Sequence, residues 1–212
     1  LNRAKESKVG EVFVATPDVE ICEVVKQNGG KAILTKPDHP SGSDRVYEVC
    51  IKELQNTVDL IINLQGDMPN IKPENIKTLT DYMTKNLCDI ATLSSKFKDQ
   101  AEINDINNVK VLTNKSLQDN KFNEAIDFFR SGQIKKDKYI YHHIGIYAYK
   151  VSILEKFINF NQTKNEVENR LEQFRALDNN ITIMVALAKS SPIGIDTKED
   201  YIAIKKIMEY KS

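Results

Sequence analysis

Apolar residues fall into short dense runs separated by polar stretches with helical spacing. Val58-Asp59-Leu60-Ile61-Ile62-Asn63-Leu64 has the density of a buried parallel strand. Residues 11–16 read as another strand, followed by a turn at Pro17-Asp18. Residues 19–27 place Val19, Cys22 and Val25 at helical spacing, Gly29-Gly30 ends that helix, and 31–35 predicts a short strand. Residues 43–54 predict a helix with Ser43 as N-cap and Val46, Val49, Cys50 and Leu54 on one face. Pro73 suits the first turn of a helix running to Asn86, and 90–97 predicts a strand. Strand and helix thus alternate, as in a doubly wound, mostly parallel sheet.

The pattern then changes. Residues 109–112, 125–129 and 143–149 predict strands with few helices between them, a mixed or antiparallel extension of the sheet. Helices return at 153–160 and 166–177, followed by a strand at 181–188 and a closing amphipathic helix at 198–210. No repeat, low-complexity tract or linker interrupts this order, so 1–212 reads as one α/β domain with a small β-rich lobe. Residues 1–7 read as the tail of a helix, and no Gly-rich or basic loop precedes Glu11. A doubly wound sheet normally opens with a strand and a phosphate-binding loop, so such a segment is expected upstream of Leu1.

Composition narrows the partners. Lys+Arg and Asp+Glu both number 30, which argues against a general nucleic-acid binder. The basic stretch Lys135-Lys136-Asp137-Lys138 is short and broken by an acid. No apolar run approaches the roughly 20 residues needed to span a bilayer, and no secretory pattern opens the chain. Cys22, Cys50 and Cys88 lack metal or redox spacing, and their apolar neighbours suggest buried thiols in a reducing cytoplasm.

Asp67 carries the strongest chemical signal. Gly66 turns the chain after the 58–64 strand and leaves Asp67 at its C-terminal edge, where open α/β sheets bind ligands. A carboxylate there suits a divalent metal held against phosphates; an ordinary turn aspartate is the alternative. Asp196, in Gly194-Ile195-Asp196-Thr197, is either a helix cap or a second carboxylate for the same ion. The polar turn from Asp38 to Arg45, with Ser41-Gly42-Ser43, leads into a helix and offers backbone N–H groups to an anion. His142 and His143 open a strand and point to opposite faces. Glu172-Gln173 and Arg175 fall on a helix, where they would pass as a solvated face.

Taken in order, Val14-Ala15-Thr16-Pro17-Asp18, the turn 38–45, Gln65-Gly66-Asp67, Asn108-Val109-Lys110-Val111, His143-Ile144-Gly145-Ile146-Tyr147, Leu171-Glu172-Gln173-Phe174-Arg175 and Gly194-Ile195-Asp196-Thr197 resemble the 3-deoxy-manno-octulosonate (Kdo) cytidylyltransferase family, the CMP-Kdo synthetases. The likeness covers nearly the whole chain. It implies a GT-A-like nucleotide-diphospho-sugar transferase fold with a mixed, mostly parallel sheet. It also implies a cytoplasmic homodimer that joins CTP and Kdo, with Mg²⁺, for lipopolysaccharide assembly. By matching position, Asp67 and Asp196 would be the catalytic Mg²⁺ ligands. Ser41, Gly42, Ser43, Arg45 and Gln65 would bind CTP, and Arg130, His143, Tyr147, Glu172 and Gln173 would bind Kdo. Alternatives are a cytidylyltransferase for another acidic sugar, such as sialic acid, or a non-catalytic nucleotide- or sugar-binding relative.

Three departures bear on this. Met68 stands where the family usually has Glu after Gln-Gly-Asp. The usual Ser-Arg-x-x-Ile-Pro pattern is degraded to Phe129-Arg130-Ser131-Gly132-Gln133-Ile134. The family's N-terminal strand and its Arg- and Lys-bearing phosphate loop do not occur in the chain, so these 212 residues alone are expected to bind CTP poorly.

Overall fold

The computed structural model describes residues 1–54, 57–119, 121–131, 139–195 and 197–209. A short helix α1 (Asn2–Ser7) closes at Lys8, whose φ of 55° is left-handed. Strand β1 (Phe13–Thr16) leads into α2 (Val19–Gln27), capped by the Asp18 carboxylate accepting from the Glu20 and Ile21 amides. Gly29, at φ 67°, turns the chain into β2 (Lys31–Leu34), which pairs in parallel with β1. Next come α3 (Gly42–Val49), β3 (Leu60–Leu64), α4 (Pro73–Lys85) with its proline in the first turn, and β4 (Ile90–Ser95). The short α5 (Gln100–Asn104) precedes β5 (Lys110–Thr113), β6 (Asn123–Phe129) and the long β7 (Tyr139–Lys150). Then follow α6 (Val151–Asn159), α7 (Lys164–Asn169), α8 (Gln173–Leu177), β8 (Ile183–Leu187) and α9 (Lys198–Glu209).

The larger sheet runs β3-β7-β4-β8-β6-β5. β3 and β4 are both antiparallel to β7, and β8 is parallel to β4, so β3, β4 and β8 share one direction with β7 reversed among them. β3 was expected to have a parallel neighbour; its partner is instead the reversed β7, and its burial alternates rather than being continuous. β7 is long enough to serve two partners along one edge. Residues 146–150 pair with β3, and 139–142 pair with β5. β5 then pairs with β6 and β6 with β8, so the strand-rich middle of the chain is continuous with this same sheet.

The alternation of β4 and β7 feeds two cores. Ile90, Tyr147 and Tyr149 join Val111, Phe128, Leu154, Phe157, Ile183 and Val185 in one. Ala91, Leu93, Ile144, Ile146 and Ala148 join Ile71, Leu79 and Met83 in the other. All three cysteines are buried free thiols.

Two helix expectations need correction. Ser41, not Ser43, caps α3, and residues 50–54 continue it as a π-helical turn. The single helix expected over 166–177 is two. Thr163 and Glu166 form a capping box at the start of α7, and Arg170, at φ 54°, ends it before α8 begins.

Candidate active site

The site lies where β7 changes partner. Leu64, the last residue of β3, pairs with Ile146, and Lys110, the first of β5, pairs with His142. In the interval between them sits Gly145, with the Gln65 Cγ 3.6 Å from where its Cβ would be. On the other side, the Gln65 amide nitrogen lies 3.0 Å from where a Cβ on Gly42 would be. The Gln65 side chain therefore threads between the start of α3 and the middle of β7, and the glycine at 42 makes the space.

The start of α3 is anchored below by hydrogen bonds. Ser41 donates to the Asp44 carboxylate at 2.6 Å and accepts from the Asp44 amide. Ser43 is fully buried. Its hydroxyl lies 3.2 Å from Asn63 Nδ2, 3.0 Å from the Tyr149 hydroxyl and 3.2 Å from Glu172 Oε1. A serine has one proton to give and two lone pairs. Ser43 therefore donates to the Glu172 carboxylate and accepts from Asn63 and Tyr149, which uses its whole capacity. Burial, then the nearby Glu172 charge, raises the Tyr149 phenol well above its ordinary pKa, so the phenol keeps the proton it donates. The Ser43 amide also reaches Glu172, at 3.3 Å to Oε2.

Aromatic rings line the β7 face. His143, Tyr147, Tyr149 and Phe157 follow at centroid spacings of 5.3, 5.8 and 6.1 Å, and Phe128 meets His143 edge-on at 5.1 Å. The Thr92 hydroxyl donates to the Ile146 carbonyl at 2.7 Å, so it accepts from His143 Nε2 at 2.9 Å. That arrangement assigns the Nε2–H tautomer and leaves Nδ1 an acceptor. Burial, with a smaller push from His142, lowers the His143 pKa to about 3, so the ring is neutral at pH 7. His142 lies on the opposite face, stacked on Phe97 at 5.8 Å.

Glu172 is half-buried, and Gln173 is buried at the first position of α8. Burial raises the Glu172 pKa against the pull of the Ser41 and Ser43 hydroxyls and the Ser43 amide. Three residues on, Arg175 is only 1% exposed. Its Nε and Nη2 bond Glu166 at 2.9 and 2.5 Å, its Nη1 reaches both Asp44 oxygens at 3.3 Å, and Phe157 covers it at 4.6 Å. Burial opposes its charge, but the hydrogen bonds it donates to the two carboxylates outweigh burial and hold it cationic. The expectation of a solvated face at Arg175 is therefore corrected.

The cytidylyltransferase family model matches residues 1–183 of this chain. The 3-deoxy-manno-octulosonate cytidylyltransferase of Thermodesulfovibrio yellowstonii is 42% identical over 97% of the chain and 85% of its own length. The protein of that name from Bartonella tribocorum is 37% identical over 97% of the chain and 84% of its own length. The chain belongs to the cytidylyltransferase family. A solved CMP:2-keto-3-deoxy-manno-octonic acid synthetase complexed with CTP superposes at TM-score 0.87 and 32% identity, covering all of this chain and 86% of that one. A UDP-glucose pyrophosphorylase at 14% identity still superposes at TM-score 0.69, so the GT-A-like nucleotidyltransferase fold extends beyond close sequence similarity.

The remaining positions of this cytidylyltransferase divide into two groups. Asp67 is exposed beyond the end of β3, and its carbonyl accepts from the Ile195 amide at 2.9 Å. The segment carrying Gly194 and Ile195 is thereby fastened beside Asp67. Asp196 and the basic stretch 135–138 lie outside the described residues. Met68 is 8% exposed and packs in the second core, which explains how an apolar residue is accommodated after Asp67. Arg45 instead braces the loop before α3, bonding Thr35 Oγ1 at 2.6 Å and the Lys36 and Pro37 carbonyls at 2.8 and 3.4 Å. Glu48 fastens the same loop through the Lys36 amide and His39. Arg130 donates to the Asn107 carbonyl at 2.9 Å.

Sequence reasoning did not single out Asn63, Thr92, Tyr149, Asp44 or Glu166. Asn63 left a trace, as a polar residue at an inward position of an otherwise apolar strand. The others have no local signal, because their partners lie in other elements.

Proposed function

We propose that this cytidylyltransferase transfers CMP from CTP to Kdo, giving CMP-Kdo and pyrophosphate. The observation that carries this reading is the direct contact of Ser43, on the expected nucleotide side, with Glu172, on the expected sugar side. The names of relatives at 37% and 42% identity support the substrate pair. In the reaction the anomeric hydroxyl of Kdo forms a new bond to the α-phosphorus of CTP. The bond from that phosphorus to the bridging oxygen of the β-phosphate breaks, pyrophosphate leaves, and the hydroxyl proton is lost.

Gln65, held between Gly42 and β7, offers both a donor and an acceptor to the nucleotide. Neutral His143 offers Nδ1 as an acceptor for a sugar hydroxyl, and Tyr147 supplies an apolar wall beside it. A neutral imidazole does not neutralise the Kdo carboxylate, so that task falls to the cationic Arg130. Glu172 and Gln173 suit the sugar hydroxyls. The oxygen chemistry at Asp67 fits Mg²⁺, which takes one or two protein carboxylates and completes its shell with water and phosphate oxygens. Asp67 and Asp196 would hold it, and when bound it neutralises phosphate charge.

No helix among the described residues is long and apolar enough to cross a membrane. The same reading makes the protein a cytoplasmic homodimer serving lipopolysaccharide assembly. Pyrophosphate release by the full-length protein with CTP, Mg²⁺ and either Kdo or sialic acid tests it. Release with Kdo supports the proposal, release with sialic acid alone moves it to another acidic sugar, and no release with either rejects it. Light scattering of the same sample tests the dimer.

A further inference from the structure

We propose that Arg175 is a positioning residue that couples the nucleotide and sugar-acid subsites by clamping the first turn of α3 onto the start of α8. This rests on the functional reading above. The Arg175 guanidinium bonds Asp44 through Nη1 and Glu166 through Nε and Nη2, so one rigid fork spans three elements. Asp44 directly follows Ser43 and accepts the Ser41 proton, so holding Asp44 holds the Ser41-Gly42-Ser43 turn. Arg175 is also tied to the sugar side through its backbone, whose amide donates to the Glu172 carbonyl at 3.0 Å. Between these attachments the Ser43 amide and hydroxyl both meet the Glu172 carboxylate.

A ligand that orders the Ser41-Gly42-Ser43 turn therefore fixes Glu172 as well, and a sugar acid gripping Glu172 fixes Ser43. Coupling of this kind is reciprocal: each ligand tightens the other by the same factor. Phe157 over one face and near-complete burial give the clamp a single arrangement. A lysine at 175 retains the charge but lacks the fork.

The test is equilibrium binding on the full-length protein. CTP affinity is measured with Mg²⁺, with and without a Kdo analogue lacking the anomeric hydroxyl, which binds but cannot react. The wild type is expected to bind CTP about fivefold or more tightly with the analogue present. Arg175→Lys is expected to reduce that factor below about twofold while each ligand still binds alone. Ser43→Ala removes the hydroxyl half of the Glu172 contact, leaves the amide half and does not touch the guanidinium; it is expected to lower the coupling factor whatever it does to CTP affinity alone, which covers the case in which Arg175→Lys fails to fold. A wild type without coupling, or coupling undiminished in Ser43→Ala or retained in folded Arg175→Lys, overturns the proposal. Because the assay reads binding, its failure is distinct from a failure to release pyrophosphate, which would overturn the functional reading instead.

Discussion

Gly42→Ala separates stability from nucleotide binding. Gly42 is the first residue of α3, and a Cβ there meets Gln65 Nε2 at 3.0 Å and Gln65 Oε1 and Asn63 Nδ2 at 3.7 Å. All three are ends of side chains rather than backbone, so the clash is relieved when Gln65 gives way by a few tenths of an ångström. Alanine is favoured over glycine within a helix by up to about 1 kcal/mol, and less at the first position. The melting temperature is therefore expected to stay constant or rise by up to roughly 4 °C. On the proposed role of Gln65, its displacement is expected to cost the nucleotide one hydrogen bond, worth about 0.5–1.5 kcal/mol. This corresponds to a roughly two- to thirteen-fold weaker CTP Kd by calorimetry, with affinity for the sugar acid little changed. Gly42→Ala combined with Gln65→Ala should show strong non-additivity in CTP affinity, since both act through one side chain. A variant that loses about 2 kcal/mol of stability while binding CTP normally would refute the argument, because Gln65 would then be structural and turned away from the nucleotide.

Asp67→Asn keeps the fold, since Asp67 is exposed, but lowers kcat by about a hundredfold or more; near-normal pyrophosphate release would remove Asp67 from the metal site. An unfolded histidine takes its proton near pH 6.5, and His143 only near pH 3. The unfolded chain thus binds the extra proton between those values, and stability falls as pH drops through this window, by up to about 1.4 kcal/mol per unit. His143→Gln is expected to flatten the dependence of the urea midpoint from pH 6.5 to 5 without abolishing it, because burial also lowers the His142 pKa, against the pull of Glu102. An unchanged slope would show that His143 is not held neutral. Lys110 gives its three protons to the carbonyls of Asp105, Asn108 and Arg130 at 2.5, 2.9 and 2.7 Å. Lys110→Met leaves these acceptors to reach water or go unpaired, at a cost of about 3 kcal/mol in denaturant unfolding. It should also raise KM for the sugar acid by loosening Arg130; a loss below about 0.5 kcal/mol would refute the bracing role.

Much of the element order was legible because periodicity is local. The apolar spacing of 19–27 coincides with α2, and Pro73 opens α4. Boundaries failed where a side chain had a distant partner. Ser43 resembles a cap, but its hydroxyl is used by Asn63, Tyr149 and Glu172, so the capping passes to Ser41. Helical periodicity across 166–177 hid the break at Arg170, because a left-handed residue without glycine leaves the apolar pattern intact. Arg175 was misread for a related reason. A buried cation reads as a surface cation until the two acids that pair with it, 9 and 131 residues away, are brought together.

The reversal of β7 explains why the site itself was less legible than its parts. An antiparallel strand inserted between β3 and β4 can outrun β3, and its extra length then pairs with β5. Ile144 and Gly145 fall between those pairings, and the Val109 carbonyl closes the edge at the His143 amide at 2.8 Å. A side chain from the turn after β3 can therefore lie against β7 without breaking a ladder, and Gln65 does so. Which residues occupy the interval depends on register, and a one-residue slip would carry His143, Tyr147 and Tyr149 to the opposite face. The register is fixed by the two cores, with Ile144, Ile146 and Ala148 filling one and Tyr147 and Tyr149 the other. The apolar residues of β7 thus determine which polar residues face the candidate site.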